Sequence, residues 1–360
     1  MKIGIVTQPL VANYGGILQN YALQQVLKKL GHDPVTLNYL PSLKFGRYLL
    51  YVGKAVLCAP FPSKRHPIKP YRHFMKRPAK IEPFLRDNVA LTRVVPDYTE
   101  RMLKRNGIEA LVVGSDQVWR YSFNSHYIED MYLDFAKDYP CLKLSYAASF
   151  GLEDWCYPVE RTEKATELIK HFKEVSVREN SAVQLCREYL GVDATAVLDP
   201  TLLLSASDYQ KFCVEPMPGE DPYMAVYVLD GSEEKSFYIE AMAKAKGLKI
   251  KKMAKSSSGC SIEEWLNTIK NAEFVITDSY HGSIFSIIFE RQFQTFINRE
   301  RGADRFYTLF NRLNLQDRLL TSYTSFKGDE GIIDYSLVCS QLKEFREESL
   351  SYLKSALSKE

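Results

Sequence analysis

Two α/β domains in succession, each built on a parallel sheet, are what this 360-residue sequence predicts. Three observations carry that expectation. Short apolar runs alternate with amphipathic stretches along most of the chain, the pattern of strands joined by crossover helices. Several of those runs end in small polar residues that lead into a helix, as happens at the carboxyl edge of a parallel sheet, where ligands bind. The loop Cys213-Val-Glu-Pro-Met-Pro-Gly-Glu-Asp-Pro222 is rich in Pro, Gly and acid and divides the series in two.

Taken in order, the apolar runs predict strands at Lys2–Thr7, Val35–Tyr39, Ala110–Val113, Leu142–Ala147, Val175–Arg178 and Ala196–Leu198 before that loop. After it they predict strands at Met224–Leu229, Lys249–Met253, Phe274–Thr277 and Phe293–Ile297. Helical periodicity falls between them, at Ile17–Leu30, Val159–Phe172, Ser181–Leu190, Glu233–Lys246, Ile262–Asn271 and Ser283–Phe289. The expected organisation is a Rossmann-like domain over residues 1–205, a smaller one over 206–320, and a tail over 321–360. The helix of that tail, Ile333–Leu357, would cross back to the first domain.

Bulk properties exclude several classes. A 46% apolar composition is enough for a sizeable core, and the net charge of +3 is too small to announce a polyanion partner. The seven cysteines are scattered without a CxxC pair, which argues against a disulfide framework and a structural zinc site. No metal and no organic cofactor is expected. The opening strand lacks a signal-peptide layout, and no segment has the roughly 20 apolar residues of a membrane span. A cytoplasmic protein is the expectation.

Charge is distributed unevenly, however. From Pro34 to Ile81 there is no Asp or Glu, while Lys44, Arg47, Lys54, Lys64, Arg65, Lys69, Arg72, Lys76, Arg77 and Lys80 lie among Phe45, Tyr48, Leu49, Leu50, Tyr51, Leu57, Phe61, Tyr71 and Phe74. A solvated basic face and a nucleic-acid patch would both use such cations. The density of apolar and aromatic groups favours contact of residues 41–81 with an anionic bilayer, each Lys or Arg contributing about 1 kcal/mol near the surface.

The chemistry gathers at strand ends. Phe274-Val-Ile-Thr-Asp-Ser-Tyr-His-Gly-Ser-Ile-Phe-Ser-Ile-Ile288 reads as strand, tight turn and helix start. Such a turn aims helix amides at an anion, and His281 is its one side chain suited to proton transfer near neutral pH. Asp278 and Ser279 are equally readable as helix caps. In Asn13-Tyr-Gly-Gly-Ile-Leu-Gln19, Gly15 and Gly16 let a ligand approach the backbone, or else serve a turn. Neither GxGxxG nor a P-loop is present. In Gly114-Ser-Asp-Gln-Val-Trp119, Asp116 and Gln117 can bond sugar hydroxyls and Trp119 can offer a flat face, unless the tryptophan is core. Arg178 ends its strand where it can grip a carboxylate or phosphate. Arg299, Arg301 and Arg305 can close on an anion or pair with Glu300 and Asp304. Leu198-Asp-Pro-Thr201 reads as a structural turn.

In this order, Asn13–Gln19, Gly114–Trp119, Ser176-Val-Arg-Glu179, Leu198–Thr201, Thr277-Asp-Ser-Tyr-His-Gly282 and Asp304-Arg-Phe306 resemble the polysaccharide pyruvyl transferase family over residues 1–320. The resemblance implies a GT-B-like fold, with two Rossmann-like domains whose parallel sheets face each other across a cleft. It implies transfer of pyruvate from phosphoenolpyruvate, a co-substrate, to two hydroxyls of a lipid-linked sugar as a ketal. His281 is then the catalytic acid and base. Arg178, Ser279, Tyr280, Gly282, Ser283, Arg301 and Arg305 would face the donor. Asn13, Gly15, Gly16, Gln19, Ser115, Asp116, Gln117 and Trp119 would face the acceptor. Some members have Arg-x-His where this chain has Ser279-Tyr-His281, so another arginine, Arg299, Arg301 or Arg305, is expected to substitute. The partners implied are phosphoenolpyruvate, the lipid-linked acceptor and an anionic membrane at its inner face, with no nucleic acid. A nucleotide-sugar glycosyltransferase and a non-catalytic assembly scaffold are the alternatives.

Overall fold

The computed structural model describes residues 1–40, 45–60, 77–215, 219, 221–254, 259–298, 301–322 and 331–358. Of the basic segment, residues 41–44 and 61–76 lie outside the described residues, as does Arg299. Six strands form the first sheet: β1 Lys2–Val6, β2 Asp33–Thr36, β3 Ala110–Asp116, β4 Leu142–Ala148, β5 Ser176–Val177 and β6 Thr195–Ala196. Five form the second: β7 Tyr223–Tyr227, β8 Lys249–Lys252, β9 Phe274–Thr277, β10 Gln292–Phe296 and β11 Leu319–Leu320.

Every strand pair is parallel. The orders are β2-β1-β3-β4-β5-β6 and β11-β10-β9-β7-β8. Each sheet therefore reverses its winding once, between β1 and β3 in the first and between β7 and β9 in the second. At such a reversal the loops leave to opposite sides and open a crevice beyond the carboxyl ends of the strands. Ile5 is in register with Val112 and Val226 with Ile276, so the paired strands end level and their loops start side by side. β3 and β9 are buried along their whole length, as strands covered on both faces by helices must be.

Helix ends follow local chemistry. Ser232 caps the helix Glu233–Lys246 by accepting from Lys235 N, and Gly247 closes it in the left-handed region at φ 64°. Ser261 and Glu264 form a reciprocal capping box for Ile262–Lys270. The helix after β9 starts at Tyr280 rather than at Ser283 as the apolar spacing suggests. Ser279 caps it, its side chain accepting from Gly282 N at 3.3 Å, so His281 stands in the first helical turn. A further helix, Asp304–Arg312, and the short β11 were absent from the sequence expectation.

One apolar core spans both halves. Tyr14 of the first half stacks against Trp265 of the second at 5.6 Å between ring centres, and its hydroxyl donates to Cys260 O at 2.8 Å. Asp304 accepts from Ser181 N at 3.1 Å and from Ser181 Oγ at 2.6 Å. The last helix, Tyr335–Ala356, lies on the first half: Ser349 Oγ accepts from Leu198 N at 3.0 Å and the Tyr352 hydroxyl donates to Ser145 O at 3.1 Å.

The halves approach tightly at Gly15, on the helix Tyr14–Lys29. A β-carbon there would fall 2.0 Å from Nδ1 of His281, which arrives from the other half. On an open helix Gly→Ala gains about 1 kcal/mol. Here Gly15→Ala is expected to cost about 1–3 kcal/mol, because neither the imidazole nor the helix backbone can yield. Urea unfolding of the two proteins measures this. Equal or higher stability in the variant would show that the ring is not seated there.

Candidate functional site

A cavity of about 220 Å³ opens where the two winding reversals face each other. The first half lines it with Gln8, Pro9, Asn13, Asp116, Gln117 and Phe123, the second with Leu229, Ser279, Tyr280, His281, Arg301 and Arg305. A larger surface concavity, about 610 Å³, is bordered by Glu129, Asp130, Asp134, Glu160, Glu163 and Glu167. Its surplus of carboxylates makes it unfit for an anion.

His281 is placed by its neighbours rather than by its own strand. Asp278, the residue that ends β9, is fully buried and accepts from Leu229 N at 2.6 Å, Asp230 N at 3.0 Å and Lys235 Nζ at 3.0 Å. These bonds tie the β7 and β9 loops together. They are structural, and Asp278 does not line the cavity. From this fixed turn the imidazole crosses to the first half, where Nε2 lies 3.5 Å from Oδ2 of Asp199. That is an ion-pair distance rather than a closed hydrogen bond, and Nε2 has no other partner. Asp199 is fully buried, with Oδ1 accepting from Thr201 N at 3.0 Å and Thr201 Oγ1 at 2.6 Å. Burial alone would raise the Asp199 carboxyl, yet His281 and Arg178 hold it well below the usual carboxylate range. Asp199 was read from the sequence as a structural turn residue. The one available signal was its place at a strand end beside that of Arg178.

Arg178 is also buried, and Asp199 Oδ2 accepts from its Nη1 at 2.8 Å. Asp116 and Glu179 stand 3.8 and 3.9 Å from the same guanidinium. Burial works against its charge, but these carboxylates, Asp199 foremost, hold Arg178 above the usual arginine range. Arg178 lies behind the Tyr280 ring, 4.9 Å from its centre, and does not line the cavity. Contact with a donor would require that ring to move. Arg305 also lies over the Tyr280 ring, 5.1 Å from its centre.

Arg305 differs in kind. It is 7% exposed, lines the cavity, and has neither a hydrogen bond nor an ion pair among the described residues; its Nε is buried and unpartnered. Burial, and after it the repulsion of Arg178, push its guanidinium down to about 10. A buried cation without an ion pair is costly. Arg301, by contrast, spends its charge on Asp230, donating from Nε to Oδ2 at 2.5 Å and from Nη2 to Oδ1 at 3.1 Å.

On the opposite wall Asp116 has φ 71°, a left-handed conformation rare for a residue with a side chain. Asn13 Nδ2 donates to its Oδ2 at 3.1 Å. Gln117 Oε1 accepts from Arg120 Nη1 at 2.8 Å. Other expected site residues form the scaffold behind this wall. Gln19 is fully buried, bonding Thr7 Oγ1, Gly16 O and Ser115 N. Ser115 Oγ donates to Ala147 O, and Ser283 Oγ pairs with Thr295 Oγ1. Gly16 packs beside Asn13 and Asp116, and Gly282 packs on Thr277. Trp119 corrects the sequence reading outright. It is fully buried, stacked on Tyr132 at 5.2 Å with Nε1 donating to Met131 O, and has no face free for a sugar. Among the described residues no group of His, Cys, Asp and Glu is arranged to hold a metal ion, and no helix is long and apolar enough to cross a membrane.

Comparison with solved structures finds the same architecture in sugar-processing enzymes. A glycosyltransferase from Rickettsia africae ESF-5 superimposes with TM-score 0.50 at 11% identity, over 97% of this chain and 93% of that one. The UDP-GlcNAc 2-epimerase from Methanocaldococcus jannaschii does so with TM-score 0.50 at 10% identity, over 95% and 92%. At such identities the likeness establishes the fold alone, and the fold is GT-B-like. A search of curated proteins found no match. The model of the polysaccharide pyruvyl transferase family matches residues 13–298, a span that starts at Asn13 on the first wall of the cavity and takes in Asp116, Asp199 and His281. With most of its length and its central histidine inside that match, the chain belongs to the polysaccharide pyruvyl transferase family of transferases.

Proposed function

We propose that this transferase moves the pyruvyl group of phosphoenolpyruvate onto two hydroxyls of a lipid-linked sugar, forming a ketal and releasing phosphate. The observation that carries the donor assignment is Arg305, a buried guanidinium in no ion pair with a described residue that opens on the same small cavity as His281. Phosphoenolpyruvate brings both a carboxylate and a phosphate to such a place. A cavity of about 220 Å³ is also small beside the roughly 300–1,000 Å³ that larger ligands occupy. Arg305 thus takes the place of the arginine that Ser279 replaces.

The reaction follows from the residues at hand. Protonated His281 gives its proton to the methylene carbon, which becomes a methyl group, and C2 becomes electrophilic. One sugar hydroxyl attacks C2 and its proton returns to the now neutral imidazole. The C2–O bond to phosphate breaks, the second hydroxyl attacks, and its proton leaves with the phosphate. Asp199 holds the imidazole in place and balances its positive form. Asp116, with Asn13 beside it, is positioned to orient the attacking hydroxyls. A sugar on a lipid carrier sets this reaction at the inner face of a membrane.

Two outcomes are expected. With detergent-solubilised lipid-linked sugars, wild-type protein releases phosphate from phosphoenolpyruvate, and His281→Ala lowers the rate by about 10²–10⁴-fold. Release that survives His281→Ala would remove the histidine from the chemistry. Calorimetric binding of a nucleotide sugar but not of phosphoenolpyruvate would turn the assignment to a glycosyltransferase.

Arg305 gives the second. Its folded-state pKa is depressed, so throughout the neutral range the charged side chain penalises the folded state. Arg305→Met is therefore expected to raise the unfolding free energy by about 1–3 kcal/mol in the absence of ligand. The same variant should lose the thermal stabilisation that phosphoenolpyruvate gives the wild type. A less stable variant that still responds to the donor would contradict both parts.

A further inference from the structure

The helix Phe45–Cys58 turns its apolar side outward. Leu49, Leu50, Val56 and Leu57 are 54%, 75%, 55% and 77% exposed, whereas Tyr48, Tyr51 and Val52 are half-buried and Ala55 is buried against the protein. The exposed positions recur at helical spacing and so form a single stripe. Lys54 is exposed as well, and the helix contains no acid. A helix of 14 residues rises about 21 Å, too short for a bilayer core of about 30 Å but long enough to lie along its surface.

Two features tie this helix to the cavity and to negative charge. The chain enters the segment at Leu40, whose N–H donates to Val95 O at 3.2 Å. Val95 borders a concavity of about 520 Å³ that also carries Arg93, Arg101 and Arg105, none of them in an ion pair with a described residue. Phe45 is five residues beyond Leu40 and hence within roughly 18 Å of that rim. The chain returns at Arg77, whose Nε donates to Leu10 O at 2.7 Å, in the loop that supplies Gln8, Pro9 and Asn13 to the cavity. Both ends of the segment are thus stapled to the acceptor side of the site.

We infer that the Leu49–Leu57 face is a membrane-docking surface. It lies in the interface of an anionic bilayer, with Arg93, Arg101 and Arg105 meeting lipid headgroups, and holds the mouth of the cavity toward the membrane. Charge selects this occupant over a second copy of the chain. Two copies would set one acid-free, basic segment against another, and like charges at an interface repel. An anionic lipid surface complements both the stripe and the arginines.

This inference deepens the lipid-linked acceptor of the proposed function, but it is tested without any substrate. Full-length protein is floated with vesicles of phosphatidylglycerol and phosphatidylcholine, and separately with phosphatidylcholine alone. Wild type is expected to float with the mixed vesicles, weakly with the neutral ones, and less at high salt. The double variant Leu49→Glu/Leu57→Glu should bind the mixed vesicles at least about tenfold less. Arg101→Ala/Arg105→Ala, on another element, should lower binding to the mixed vesicles and leave the weak binding to neutral ones unchanged. Wild type that stays unbound, or a leucine variant that binds as well as wild type, overturns the inference. So does a wild-type dimer that the leucine variant converts to monomer by light scattering. A failure here leaves phosphate release untouched, and a failure of the donor assignment leaves vesicle binding untouched.

Discussion

The site depends on one buried polar contact, that of His281 with Asp199 across the two halves. The histidine belongs to the second sheet, but its ring occupies a slot in the first, where Gly15 leaves just enough room and Asp199 supplies the charge. Ion pairs buried this deeply add little net stability, since desolvation cancels most of their attraction. Breaking one partner is costly, however, so the contact fixes register even where it adds little strength. The aromatic packing of Tyr14 on Trp265 supplies the adhesion that holds the halves together, and the polar contact sets where they meet.

From that contact the rest of the site is ordered by a chain of neighbours. Arg178 bonds Asp199, and both Arg178 and Arg305 lie over the ring of Tyr280. Two cations thus lie over one aromatic ring, and of the two only Arg178 has carboxylates of described residues at ion-pair distance. Arg178 is tied into the scaffold of the site, and Arg305 is the cation proposed to bind the donor. This difference is what the geometry adds to the sequence, because the two arginines are chemically identical and only their ion pairs separate them.

Much of the fold was legible because alternating apolar runs and amphipathic stretches leave few architectures open. The carboxyl edges were legible too, since small polar residues between an apolar run and a helix have little other reason to exist. Less could be read where one residue type serves two environments. Trp119 follows a strand end that lines the site and still points into the core, because the left-handed turn at Asp116 redirects the chain. Asp199 carried no mark of its role, as its partners come from β5 and from the other half of the protein. The helix Asp304–Arg312 has apolar residues at helical spacing, Phe306, Leu309 and Phe310, but the nearby arginines drew the reading toward a loop. Which of those arginines stays unpaired depends on Asp230, distant in sequence, and no pattern within residues 298–307 could reveal it.

Charge balance gives the buried cluster a direction for proton flow. Asp116, Glu179 and Asp199 place three carboxylates around the two guanidinium groups of Arg178 and Arg305. Counted as formal charges, the three carboxylates exceed the two guanidinium groups by one. In the proposed transfer, once the imidazole has given a proton to the methylene carbon, the cluster has lost a positive charge. The nearest available proton is then on the sugar hydroxyl that attacks. Under that proposal a single histidine serves both steps, with Asp199 behind it and Arg305 lining the cavity in front.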